Sequence, residues 1–596
     1  MGDETVVPRP PDDRERVTYV QRYLLVLTTA SVLAFVGMAV SLVRFSMQGT
    51  WTMLYLVPVC FTVLYFVISL ASNSFTRDWD VDRHDRFVAG WAPEHAPTVD
   101  VFLPTCGEDL AVLRNTAEHV AAMRYSGAVT VYSLDDAHRP EVEALAAEFG
   151  FVYLSRPNRG WFKKAGNLRY GYERSHGEFV VVFDADFAPR RDFLVQLLPY
   201  FDAEPDLGIV QSPQYFHVTR DQNWVERAAG AVQELFYRVV QTSRQVRGAA
   251  ICVGTNAIYR RAALDSNGGT TLIEHSEDVH TGFDLYRHGW RLRYVPLNLA
   301  AGICPSTLPA FFAQQYRWAL GSMSLLGSKK FWTTRMRFRQ RLAYLAGFMY
   351  YIETALMILL APVIPLTMVY AFPQNVRLAN YLLLVPAIFY AFVLFPRWHR
   401  CRYGLAAWST RLVYGWAHLF AVTDKLRGRA AEWSATLGRR SQAHATRFKV
   451  FSVLVVVWGG GTALLWTAGT LAQMRATGDY AAWTPMLAFS AVYAVAYGRV
   501  IVTIPKSRAF RKNLRRREHD PLPPFVPRTV PVAPVAAPVA APVGVAVGVA
   551  VGVPAGVPAG VEVTTGVPSS PPGDPVAPTV PGSAPPPGVR WTGRGR

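Results

Sequence analysis

The chain has 596 residues, enough for several domains, with 51% hydrophobic residues and a formal net charge of +18 at pH 7. Its apolar residues are concentrated in long blocks, which argues against a purely soluble chain. The five cysteines (60, 106, 252, 304 and 401) include no C-x-x-C pair, which speaks against a disulfide framework or zinc site and fits a reducing cytoplasm.

Six apolar stretches, about 22–45, 51–71, 342–372, 380–396, 449–471 and 482–504, mostly approach or exceed the roughly 20 residues of a membrane-spanning helix. The acidic start MGDE lacks a basic leader region, so the first stretch reads as a retained anchor. Between the second and third spans, β-rich runs at 99–104, 128–134, 151–154, 178–183 and 208–211 alternate with helical patterns such as 140–150. That alternation predicts an α/β domain with a mainly parallel sheet and helices on both faces, in which ligands bind beyond the carboxyl ends of the strands. Residues 306–335 and 401–428 mix aromatic and basic side chains and read as helices lying along the membrane surface.

The connections at 46–50, 373–379 and 472–481 hold almost no Lys or Arg, whereas 397–448 and the segment KSRAFRKNLRRR are strongly basic. The positive-inside rule therefore places both termini, residues 72–341 and 397–448 in the cytoplasm. Basic flanks facing anionic lipid account for much of the net charge, so no nucleic-acid partner is expected. The expected divisions are a cytosolic segment 1–21, two spans in 22–71, a linker 72–97, the α/β domain 98–305 and interfacial helices 306–341. Two spans in 342–396, a cytosolic interfacial segment 397–448, two spans in 449–504, a basic flank 505–520 and a tail 521–596 complete the chain. The Pro/Ala/Val/Gly tail has no means of building a packed core and is expected to be disordered.

Four clusters carry chemistry: LDDAH (134–138), FDADF (183–187), HSEDVH (275–280) and QQYRW (314–318). Asp184 and Asp186, one residue apart past an apolar strand, can hold a divalent cation of the Mg2+ or Mn2+ type together with phosphate oxygens. Such a metal neutralises charge on a leaving nucleotide, and Lys164 and Arg317 would supplement it. Asp278 is placed to act as general base on an acceptor hydroxyl. Ser276 reads as the cap of a helix that follows it. Trp318 offers a flat platform for a sugar ring. His275 and His280 have poor spacing for a shared metal and read as supporting or surface residues. Glu353, within the third apolar stretch, is either a channel contact or a residue at the span's interface.

The ordered series D-D, D-x-D, (T/S)-E-D and Q-x-x-R-W closely resembles the processive family-2 glycosyltransferases, the cellulose synthase-like group. Connecting segments agree with it: VDVFLPT (99–105), KAGN (164–167), VQSPQ (210–214), GTNAIYRR (254–261) and GFDLYRHGW (282–290). The resemblance covers about residues 98–330 with the flanking spans. It implies a cytoplasmic GT-A domain, Rossmann-like, inserted in a multi-pass helical membrane domain of the plasma membrane. That domain would transfer sugar with inversion from a nucleotide-diphosphate donor, UDP-glucose or a related UDP-sugar, to a growing β-linked polysaccharide that the helices export. Extracytoplasmic polysaccharide-processing partners are compatible with this.

By resemblance, Thr105, Glu108, Asp135, Asp136, Lys164, Asp184 and Arg317 would bind the nucleotide sugar. Asp184 and Asp186 would hold the metal, Asp278 would be the base, and Glu277, Gln314 and Trp318 would contact the acceptor. A gating pattern F-x-V-T-x-K appears as Phe420, Val422, Thr423 and Lys425, within what reads as an amphipathic surface helix. Two positions depart from the family: Cys106 stands where its P-T-Y-N-E segment has tyrosine, and Val253 where bacterial cellulose synthases have cysteine. A single-transfer enzyme acting on a lipid carrier and a non-catalytic scaffold recruiting partners through its Pro-rich tail are the alternative readings.

Overall fold

The computed structural model describes residues 7–20, 24–73, 79–220, 222–401, 404–429 and 442–517. The chain divides into a unit of residues 1–520 and a second of residues 521–596. The tail expected to be disordered is the second unit and lies outside the described residues.

Among the described residues of the α/β region ten strands form: β1 (Val99–Thr105), β2 (Val129–Asp135), β3 (Val152–Leu154), β4 (Phe179–Val182), β5 (Phe187–Pro189), β6 (Leu207–Gln211), β7 (Tyr215–Phe216), β8 (Ala257–Arg260), β9 (Arg291–Tyr294) and β10 (Ala300–Gly302). Seven of them make one sheet in the order β3-β2-β1-β4-β8-β6-β9, and β5-β10-β7 make a smaller one. Every pairing in the large sheet is parallel except those of β8, which runs antiparallel to β4 and β6. This agrees with the mainly parallel α/β expectation, and each of the five predicted strands forms within a residue or two of its bounds.

The sheet is covered on both faces, as runs buried throughout require. Along β1, Val99, Val101 and Leu103 enter one core with Phe179, Val181 and Leu197. Phe102 points the other way, into a core with Tyr132, Leu134 and Leu168. Asp100, polar within this buried strand, is satisfied by Arg261 Nη2 at 3.0 Å and the Gly177 backbone N–H.

Among the described residues, six helical segments are long and apolar enough to cross a membrane: Leu24–Ser46, Trp51–Asn73, Phe338–Tyr370, Leu378–Trp398, Thr446–Thr477 and Tyr480–Ser507. They coincide with the six apolar stretches of the sequence, and the chain is a membrane protein. Glu353 lies buried well inside Phe338–Tyr370, next to Thr354, whose hydroxyl is 2.6 Å from His418 Nδ1.

One expectation needs correction, the capping role of Ser276. Helices Leu308–Leu326 and Leu405–Leu426, expected to lie along the membrane surface, pack against each other and into the core. Small residues on them, Ala319 and Gly321 on one and Gly415, Ala417 and Ala421 on the other, are buried and let neighbouring backbones approach closely. Phe312 of the first meets Phe420 of the second edge-on, with ring centroids 5.7 Å apart. His275 and His280 are both buried, and His280 Nε2 lies 2.7 Å from Ser324 Oγ. Ser276 occupies the position before helix Glu277–Arg287, but its side chain makes no capping hydrogen bond and its backbone is left-handed, with φ 54°.

Candidate active site

The carboxyl ends of β1, β2 and β4 lie side by side because the three strands are parallel neighbours, with Thr105 directly opposite Asp135. Thr105 donates its hydroxyl to Asp135 Oδ1 at 3.1 Å, and its carbonyl accepts the Asp136 N–H at 3.0 Å. The Asp135 carboxylate also accepts from the N–H of Ala137 and Arg139 and from the Tyr153 hydroxyl. It therefore shapes the turn at the end of β2. In the next turn back, Glu108 Oε2 accepts the Cys106 N–H at 2.6 Å, and burial pushes the Glu108 carboxyl above its usual range.

Asp136 is paired with a residue that no motif singled out. Arg156 grips it with two hydrogen bonds, Nε to Oδ1 at 2.6 Å and Nη2 to Oδ2 at 2.8 Å, and both side chains are buried. The same guanidinium donates to the carbonyls of Trp161 and Lys163, so it holds the turn that leads into Lys164. Removing one partner strands a buried charge, a loss of about 3–5 kcal/mol. Arg156→Ala should accordingly lower the thermal midpoint of the purified chain sharply, and an unchanged midpoint would contradict the pairing.

Lys164 pairs with Asp184, donates to the Gly254 carbonyl at 2.9 Å and comes within 3.8 Å of Glu277. Burial opposes its charge, but Asp184 and Glu277 outweigh that and raise its pKa. The Asp184 backbone is fixed by its N–H donating to Thr255 Oγ1 at 2.9 Å. Asp186 is pushed up to about 8 by burial, with the charges of Asp184 and Glu108 beside it. A crowd of hard carboxylate oxygens that favours taking a proton suits a divalent cation equally well. Among the described residues no group of three or more His, Cys, Asp or Glu side chains is placed to hold a metal. Asp184 and Asp186, one residue apart just past β4, offer carboxylate oxygens of the hard type such a cation takes.

Asp278 sits in the first turn of helix Glu277–Arg287 and accepts the Val279 N–H at 2.8 Å. Burial and then the neighbouring Glu277 charge push its carboxyl up to about 7, while burial also raises Glu277. The Gly254 backbone presses against it. Gly254 has φ +75°, and a Cβ there would lie 2.8 Å from Asp278 Oδ2. Gly254→Ala would thus both strain the backbone and displace the carboxylate. Misplacement of this kind costs on the order of 10²-fold in turnover, and a variant within threefold of wild type would show that the contact does not position Asp278.

Gln314, Arg317, Trp318 and Gly321 lie on one face of helix Leu308–Leu326 by their i, i+3, i+4 and i+7 spacing. Gly321 abuts Ser276, where an added Cβ would lie 1.8 Å from its Oγ, so this face is docked on the start of helix Glu277–Arg287. Arg317 feels the charges of Glu277 and Asp184, although burial lowers its pKa to about 10. The buried Gln314 Oε1 finds no donor among the described residues, and Trp318 is half-buried. The structure thus brings Thr105, Glu108, Asp135, Asp136, Lys164, Asp184, Asp186, Glu277, Asp278 and the Gln314–Trp318 face to one region.

Phe420, Thr423 and Lys425 lie on one continuous helix, as the sequence pattern expects, and among the described residues the Thr423 hydroxyl donates to its own helix backbone at the carbonyls of Leu419 and Phe420. Asp424 adds a polar link to the Q-x-x-R-W helix beside the Phe312–Phe420 contact, accepting from the Tyr316 hydroxyl at 2.8 Å and from Arg447 Nε at 2.7 Å.

Comparison with known proteins places the same residues in context. The profile of the family described as Glycosyl transferase family group 2 matches residues 179–395. The UDP-forming cellulose synthase catalytic subunit of Xanthomonas axonopodis pv. citri (strain 306) is 33% identical over 260 residues, 43% of this chain and 36% of that protein. Cellulose synthase 1 of Komagataeibacter xylinus is 33% identical over 261 residues, 43% of this chain and 17% of that protein. The chain thus spans little more than a third of the first relative's length and less than a fifth of the second's. Among solved structures, a mannosyltransferase from Pyrobaculum calidifontis in complex with GDP-Man and Mn2+ aligns at 17% identity and TM-score 0.44, covering 63% of this chain and 99% of that one.

Proposed function

The chain belongs to the family-2, cellulose synthase-like glycosyltransferases, and from that premise we propose that it elongates a β-linked polysaccharide from a UDP-sugar, glucose or a close relative. The observation that carries the reading is the placement of Asp278. Its carboxyl, with a pKa raised towards neutrality, shares one cluster with the Lys164–Asp184 pair and Arg317.

Asp184 and Asp186 would hold a Mg2+ or Mn2+ ion, which when bound would neutralise charge on the donor diphosphate. Lys164 and Arg317 add fixed positive charge on the same side, Arg317 with a fork suited to phosphate. Asp278 takes the proton from an acceptor hydroxyl as that oxygen attacks the anomeric carbon. The bond from that carbon to the diphosphate oxygen breaks, the nucleotide diphosphate leaves, and the anomeric configuration inverts. Trp318 and the orphaned Gln314 oxygen offer a ring platform and an acceptor for a sugar hydroxyl. The loop charges support a cytoplasmic position for this domain, from which the membrane helices would pass the polymer outward.

The test is the purified full-length chain in lipid with Mg2+ or Mn2+ and a panel of nucleotide sugars, reading nucleotide release and product size. The expected result is release from a UDP-sugar with a product of many sugar units. A product carrying one sugar on a lipid carrier would replace polymerisation with single transfer. No release from any donor would leave only the scaffold reading.

A further inference from the structure

We infer that Trp161 is the stacking platform for the donor's nucleobase, an inference that rests on the nucleotide-sugar reading above. Three turns rim the crevice at the ends of β1, β2 and β3: residues 105–108, 135–138 and 156–163. They are close to one another, since the Asp136 N–H bonds to the Thr105 carbonyl and Asp136 is gripped by Arg156. A nucleotide whose diphosphate lies at Lys164 and Asp184 extends its base toward this rim.

Few of these turn residues can offer a flat face. The first turn is Thr105-Cys106-Gly107-Glu108 and carries no ring. In the second, His138 Nδ1 is engaged 3.1 Å from Ser155 Oγ. The third carries Trp161, which is 47% exposed, and Phe162, whose ring stands edge-on to the indole at 4.8 Å and 79°.

Single exposed aromatics are ordinary on protein surfaces. What sets Trp161 apart is how firmly its backbone is held. Before it, the Gly160 N–H lies 3.2 Å from both oxygens of the buried Asp136 carboxylate. Its own carbonyl and that of Lys163 accept from the buried Arg156 guanidinium. Directly after it, Phe162 and Lys163 are both left-handed, with φ 46° and 50°, a strain that persists only where the surroundings enforce it. Three residues on, Lys164 is tied to Asp184. A large ring is thus left bare on a pinned and strained turn between the two carboxylate sites, a platform pre-organised for stacking. Stacking accepts any base, so Trp161 contributes affinity and leaves base identity to other contacts.

The test uses the full-length chain in lipid with Mn2+, assayed with UDP-sugar donor and inhibited by UDP or by inorganic pyrophosphate, which has no base. Trp161→Ala should raise the donor KM and the UDP inhibition constant roughly tenfold, leave kcat little changed and leave pyrophosphate inhibition as in wild type. Trp161→Phe should restore most of the loss. UDP inhibition of Trp161→Ala within twofold of wild type would overturn the inference. Equal weakening of UDP and pyrophosphate would also overturn it, because Trp161 would then act only by holding the turn. If wild-type protein bound neither UDP nor any other nucleotide diphosphate, the donor reading itself would fall, and the inference with it.

Discussion

Asp278→Asn should lower nucleotide release by about 10²–10⁴-fold, the range a positioned general base supplies, while metal-dependent UDP binding stays near wild type. Asparagine keeps the shape beside Gly254 and can still accept the Val279 N–H, so the substitution removes basicity with little disturbance of packing. The pH dependence has a definite sign. Burial and the adjacent Glu277 push the Asp278 carboxyl up to about 7, and a base works only in its deprotonated form. Wild-type turnover should therefore fall as pH drops through about 7 and level off above it, about tenfold per unit on the acid limb. A variant with near-normal turnover, or a wild-type profile flat from pH 5 to 8, would remove Asp278 from the role of base.

Asp186→Asn should weaken metal-dependent UDP binding on the order of 10²–10³-fold, the equivalent of the several kcal/mol that metal charge stabilisation supplies. In the protein Asp186 is held up to about 8 by burial and by Asp184 and Glu108, so a proton competes for the oxygens a cation would use. Wild-type protein should bind the metal more weakly at pH 6 than at pH 8 for the same reason. Chelation of wild type should reproduce the loss, which titration of UDP with and without EDTA would measure. UDP binding indifferent to EDTA would contradict the metal site.

The legible parts of the molecule are those where chemistry and periodicity coincide in a short stretch. The run EFVVVFDADFA shows a buried strand and two carboxylates at its end, and β4 with Asp184 and Asp186 appears as expected. LDDAH and FDADF converge because the parallel neighbours β2, β1 and β4 put their carboxyl ends together, which the alternation of strand and helix already implies, whereas HSEDVH and QQYRW reach the same region on helices that dock against Gly254 and against each other. Arg156 was not legible, since nothing local says that a guanidinium between β3 and KAGN will turn back onto Asp136. The antiparallel β8 and the two- and three-residue strands β5, β7 and β10 are too short or too dependent on partners to leave a pattern. The close packing of helices Leu308–Leu326 and Leu405–Leu426 was not legible either. Their mixed aromatic and basic surfaces look interfacial, and only contact shows that Ala319, Gly321, Ala417 and Ala421 serve close packing. Ser276 has the composition of a cap but serves instead as the contact for Gly321.

The most direct measurement compares nucleotide release from UDP-glucose and related UDP-sugars by the full-length wild-type chain and Asp278→Asn, in the same lipid, with Mn2+ and with EDTA. The account predicts release only by wild type and only with the metal, with UDP still bound by Asp278→Asn when Mn2+ is present. Equal release by the two proteins, or release by wild type unaffected by EDTA, would contradict it.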